Sequence, residues 1–105
     1  MVRKNMKKDD KKINEFIEKI ENKSYEIKKR GVKKIGIFGS FLKGEQKKDS
    51  DVDILVSFEN ANYNSYFEML VFLRKLLKKK IDLVISESLR PELNYVKKEA
   101  RYARL

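Results

Sequence analysis

The 105-residue chain has no cysteine, no histidine, no tryptophan and a single proline, Pro91. Without cysteine there can be no disulfide, no thiolate nucleophile and no cysteine-type zinc site. Without histidine, imidazole metal ligation and Ser-His-Asp catalysis are also excluded. Any chemistry therefore falls to carboxylates, hydroxyls, lysines or a bound hard cation. No apolar run approaches the roughly 20 residues of a membrane helix, and the opening MVRKNMKKDDKK lacks the apolar core of a secretory signal. The expectation is a cytoplasmic protein that does not enter a membrane. At about 150 residues per domain, the length holds one domain.

Positive charge is what the chain has in excess: 26 Lys+Arg against 16 Asp+Glu give a formal charge of +10. Residues 1–12 carry six positive and two negative charges, a stretch with almost nothing to bury that is expected to fray. Further excess lies at Arg74 to Lys80 and near the C-terminus. Spread in this way, the charge reads first as a solvated surface, and a nucleic-acid partner is disfavoured. Such a partner calls for aromatic and basic residues interleaved on one sheet face, a pattern the sequence does not show.

Residues 13–105 read as one domain. Ile13, Phe16, Ile17, Ile20 and Ile27 form a stripe at helical spacing, and Gly31 follows where a helix should end, near residue 30. Val32 to Phe38 (VKKIGIF) is short, β-branched and bounded by glycines, a strand. Asp51 to Phe58 alternates strictly, with Val52, Ile54, Val56 and Phe58 on one side and Asp51, Asp53, Leu55 and Ser57 on the other. Ser65 to Lys79 is an amphipathic helix with cations at its C-terminal end, where the helix dipole favours them. Ile81 to Ile85 is a third strand, and Pro91 opens a last helix that turns Leu93, Val96, Ala100 and Ala103 inward. A long helix between strands two and three permits a parallel crossover. The fold class is therefore α/β (α+β), a mixed β-sheet with helices packed on one face.

The chemistry lies between the first two strands, in GSFLKGEQKKDSDVD. Asp51 and Asp53, two apart on a strand, project to one face about 6.6 Å apart along the backbone. Aspartate is disfavoured in strands and like charges repel, so stability does not account for the pair; a hard divalent cation such as Mg²⁺ would reverse the repulsion. Gly39 and Ser40 directly follow a strand, with Gly44 four residues beyond Ser40, spacing that suits a tight turn whose amides meet phosphate oxygens. Lys43 and the Lys47-Lys48 pair add cations nearby. If the third strand lies beside the second, Asp82 joins the acids on the same face, as a further metal ligand or a proton acceptor for an incoming hydroxyl.

Gly39-Ser40, Gly44, Ser50 and Asp51-x-Asp53 in this spacing resemble the signature of the DNA polymerase β-like nucleotidyltransferases. The chain's size and element order are similar to those of the minimal nucleotidyltransferase (MNT) branch, whose members are antitoxins beside HEPN toxins. The resemblance spans nearly everything from Ile13 onward. It implies a minimal polymerase β-like nucleotidyltransferase fold, with Asp51, Asp53 and Asp82 as catalytic and metal-binding carboxylates. It also implies that Gly39 and Ser40, with Lys43 and Gly44, hold the triphosphate of ATP. Two Mg²⁺ ions are implied, with transfer of AMP to a hydroxyl, a tyrosine of a HEPN-type toxin partner. One departure is Leu42-Lys43 before the second glycine, where members often carry Ala-Arg; this keeps a cation and loses a planar phosphate clamp.

A different reading keeps the fold and drops the chemistry: an antitoxin that neutralises its toxin by stoichiometric binding, with Tyr63, Tyr66, Tyr95 and Tyr102 as interface candidates. Three retained acids favour the enzyme. A chain this short also invites a homodimer or hetero-oligomer to cover its helix faces.

Overall fold

The computed structural model describes residues 8–39, 42, 51–60 and 63–105. Helices α1 (Lys8–Glu21) and α2 (Ser24–Lys29) are followed by strands β1 (Val32–Phe38) and β2 (Val52–Phe58), helix α3 (Tyr63–Leu77) and strand β3 (Ile81–Ile85). Two 3-10 turns (Ser86–Ser88 and Pro91–Leu93), a short helix α4 (Tyr95–Glu99) and a two-residue strand β4 (Arg101–Tyr102) complete the chain. The four strands run in the order β3-β2-β1-β4. β1 is antiparallel to both of its neighbours, whereas β2 and β3 are parallel across the α3 crossover. The mixed sheet is the one expected. Among the described residues, no helix is long and apolar enough to cross a membrane.

The stripe of α1 and α2 is buried as its spacing demands, with Ile13, Phe16, Ile20 and Ile27 in the main core. It belongs to two helices, where the sequence suggested one. After Glu21 the chain closes a tighter turn, in which the Lys23 N–H donates to the Ile20 carbonyl at 3.0 Å. Asn22 and Lys23 thus break the helix but keep Ile27 on the apolar side. Met69, Leu73 and Leu77 of α3 close the same core over Ile35 and Ile37 of β1, Ile54 and Val56 of β2, and Leu83 of β3.

The strict alternation of β2 separates two faces. Leu55 faces away from the main core and packs in a second, smaller cluster with Val96 and Ala100, bordered by Phe38, Val84 and Leu89. The three longer helices thus share one face, while the segment carrying α4 crosses the other. The single last helix expected from Pro91 is instead a 3-10 turn, a short helix and an edge strand. Leu93 is exposed and Ala103 packs against the main core. Tertiary bonds explain this ending. Ala103 N–H donates to the Ile35 carbonyl at 2.9 Å, Arg104 N–H to a Glu21 carboxylate oxygen at 2.7 Å, and the Arg101 guanidinium to Asn14 Oδ1.

Candidate active site

Residue pairing in the sheet assembles the acids. Asp53 of β2 lies directly beside Asp82 of β3, and on the other side Asp53 pairs with Phe38 of β1. Paired residues of neighbouring strands point to the same face, with backbones about 4.8 Å apart. The next pair on that face, Leu55 beside Val84, lies in the smaller apolar cluster, so both aspartates open onto the face crossed by α4. Asp53 is half-buried and Asp82 exposed. At the same end, the Val52 N–H donates to the Lys80 carbonyl at 2.9 Å, holding the start of β2 against the start of β3.

Gly39 completes this end of the sheet. Its φ is +78°, the left-handed region that side chains disfavour, and a Cβ placed on it would lie 2.0 Å from Asp53 Oδ2. Two constraints therefore require glycine here: the bend leaving β1, and the Asp53 carboxylate that occupies the space of the missing side chain. The Leu42 N–H donates to the Gly39 carbonyl at 3.0 Å, so the chain turns at once after the strand. Ser40, Lys43 and Gly44, expected beside this bend, lie outside the described residues, as do Lys47, Lys48 and Ser50.

Asp51, expected as the first residue of this strand, stands one residue ahead of β2 and is exposed. Among the described residues, no group of three or more acidic side chains gathers closely enough to hold an ion. The sheet thus aligns Asp53 with Asp82 and leaves Asp51 at the rim. Two neighbouring carboxylates still suit Mg²⁺, which takes hard oxygen ligands, keeps several waters, and commonly uses one or two carboxylates plus substrate phosphates. Asp53 and Asp82 fit such an ion.

A cleft of about 370 Å³ adjoins Asp82 and Gly39, walled by Phe38, Val84, Leu93 and Tyr95, with Glu99 at its edge. No local pattern signals this cleft, because its far wall belongs to the segment after Pro91, where helical spacing predicts one continuous helix. Tyr95, among the tyrosines considered for an interface, lines this cleft and is 50% exposed. Tyr66 has a structural role: its hydroxyl donates to the Leu83 carbonyl at 2.9 Å, on edge strand β3.

Two paired carboxylates beside a glycine bend, with no histidine or cysteine in the chain, are compatible with metal-assisted chemistry at phosphorus. The family then follows from comparison with known proteins: the nucleotidyltransferase domain model matches residues 13–104, and the chain belongs to that family. The protein adenylyltransferase MntA of Thermococcus cleftensis is 46% identical over 67 residues, which cover 62% of this chain and 68% of that one. A solved structure assigned as a minimal nucleotidyltransferase superposes with a TM-score of 0.65 at 29% identity, covering 80% of this chain and 92% of the other. A toxin-antitoxin crystal structure with AMP-PNP superposes with a TM-score of 0.61 at 25% identity, covering 78% and 70%. The MNT branch, suggested by the chain's size and element order, is therefore the right one.

Proposed function

We propose that this chain is an antitoxin that acts as an enzyme, transferring AMP from ATP to a tyrosine hydroxyl of a HEPN-type toxin. The observation that carries this reading is the pairing of Asp53 with Asp82 beside a glycine bend shaped around the Asp53 carboxylate. Similarity to an adenylyltransferase and to a toxin-antitoxin complex with a nucleotide analogue supports it.

Asp53 and Asp82 would hold Mg²⁺ together with the phosphates of ATP, with Asp51 as a further carboxylate and a second ion by the family resemblance. When bound, the metal neutralises charge on the reacting phosphate. Gly39 brings backbone close to the nucleotide, and the family motif assigns Ser40, Lys43 and Gly44 to the triphosphate. The apolar cleft beside Asp82 receives the phenol ring of the acceptor, which brings its hydroxyl to a carboxylate able to take the proton. The phenolic oxygen then forms a bond to the α-phosphorus, the bond from that phosphorus to the β-phosphate oxygen breaks, and pyrophosphate leaves with the electron pair. Holding acceptor and nucleotide together supplies much of the rate.

The test is incubation of the protein with a HEPN-type partner, α-labelled ATP and Mg²⁺, followed by mapping of the label. Label on a partner tyrosine, lost in Asp53→Asn, supports the proposal. A doubly substituted Asp51→Asn/Asp53→Asn chain that neutralises the toxin without ATP would instead establish the stoichiometric binder.

A further inference from the structure

The face that carries the acids has a second cleft at its opposite end, which nucleotidyl transfer leaves unused. It has a volume of about 350 Å³ and is lined by Lys33 and Lys34 of β1, Ser57 of β2, Glu87 of the turn after β3, Lys97 of α4 and Tyr102 of β4. Ser57 is four residues beyond Asp53, so the two sites lie about 13 Å apart along one strand.

A break in the β1 pairing forms this cleft. Val32 pairs with Phe58 and Lys34 with Ser57, so two residues of β1 oppose one step of β2. The burial pattern marks the same irregularity: Val32, Ile35 and Ile37 are buried, which regular alternation forbids, and Lys33 and Lys34 between them are both exposed. In a regular strand one of two consecutive lysines would be driven into the main core. The bulge instead turns both toward the cleft, a recognised use of bulges in re-aiming side chains. Lys97 supplies a third cation from across the face.

The remaining walls are specific in character. The Tyr102 ring lies over Gly36, where a Cβ would come within 2.9 Å of Tyr102 Cδ1, and the phenol donates to the Lys97 carbonyl at 2.8 Å. Lys34 Nζ lies 5.7 Å from the centre of that ring. Glu87 accepts a hydrogen bond from the buried Ser57 hydroxyl, which fixes one carboxylate among three lysines. Cations alone would suit any anion. An aromatic ring and an anchored carboxylate beside them suit an anion that also has a flat apolar ring and hydroxyl or amino donors.

We propose that this cleft binds a nucleoside monophosphate unit, with phosphate on Lys33, Lys34 and Lys97, the base against Tyr102, and sugar hydroxyls or a base amino group donating to Glu87. Such a unit could be a free ribonucleotide or one residue of a single-stranded RNA, and the chemistry is shared. It supplies the aromatic and basic interleaving whose apparent lack in the sequence argued against nucleic acid.

The test is an NMR titration of the full chain in EDTA, following the backbone amides of Lys33, Lys34, Ser57, Glu87, Lys97 and Tyr102. AMP should shift these amides, inorganic phosphate should shift the lysine amides more weakly, and Lys33→Ala/Lys34→Ala should weaken AMP binding about tenfold or more. A short oligoadenylate that binds far more tightly than AMP, with a salt dependence reduced in the double variant, identifies an RNA strand; equal affinities identify the free nucleotide. The proposal fails if AMP and oligoadenylate leave these amides unmoved, or if the double variant, with both exposed lysines removed, binds as tightly as the wild type.

Discussion

One sheet face carries opposite charges at its two ends. At the start of β2 and β3, Asp53 and Asp82 stand side by side against a glycine bend. Four residues along β2, Ser57 and Glu87 stand among Lys33, Lys34 and Lys97. Leu55 lies between them, buried with Val96 under α4. The acidic end owes its character to register alone, because two parallel strands in regular pairing put like charges together. The basic end owes its character to a departure from register. Regular pairing is thus enough to concentrate a charge pattern already present in alternating strands, whereas placing two consecutive residues on one face requires a bulge.

The largest expected effect breaks the acidic end alone. Asp53→Asn should lower AMP transfer by at least about a hundredfold, a loss on the scale of removing one preorganised electrostatic contact. The thermal unfolding midpoint should change little, because the substituted side chain keeps its shape. Parallel measurement of label transfer and thermal melting checks both halves. A variant that transfers as well as wild type would show that the acidic register has no part in catalysis.

Leu55→Ala removes what separates the two ends. The side chain is 1% exposed, so its loss should cost about 2–5 kcal/mol, measured by urea denaturation. Gly39→Ala should act at one end only. The positive φ and the 2.0 Å approach to Asp53 Oδ2 predict about 1–3 kcal/mol of destabilisation together with a fall in transfer. Binding of AMP at the lysine cleft should be unchanged. A Gly39→Ala protein with full activity would mean that Asp53 can leave its observed position freely.

How much of this the sequence reveals depends on whether the signal is local. The alternation of β2, the placement of β3 and the apolar stripe of α1 and α2 follow from spacing, and the structure buries those residues accordingly. The acid pair was legible because Asp53 and Asp82 sit second in their observed strands. The C-terminal segment was not legible as three elements. Arg101 and Tyr102 form a strand only because they pair with Ile37 and Gly36 of β1, a tertiary fact that helical periodicity around Pro91 conceals. The bulge was legible in principle: VKKIGIF places Val32 and Ile35 three apart, which breaks the period of two, and that mismatch is its trace in the sequence. Ser40, Lys43 and Gly44 lie outside the described residues, so their part in the site rests on the motif.

The smallest predicted effect separates the two ends by pH. Burial raises the pKa of Glu87, but the Ser57 hydrogen bond, backbone donors at Glu87 and Phe58, and the charge of Lys33 outweigh it and hold the carboxyl below its ordinary 4.5. A carboxylate depressed on folding contributes stability above its unfolded pKa, and that contribution is lost as pH falls through the folded value. The window therefore lies below pH 4.5. Ser57→Ala removes one of the lowering contacts, at a cost of about 1 kcal/mol at pH 7 because the exposed carboxylate can turn to water. On acidification below that window, wild type and variant should converge as Glu87 protonates in both. Urea denaturation at pH 7 and pH 3 checks this, and a stability difference unchanged by acid would show that the Ser57 hydroxyl acts through packing rather than through the charge of Glu87.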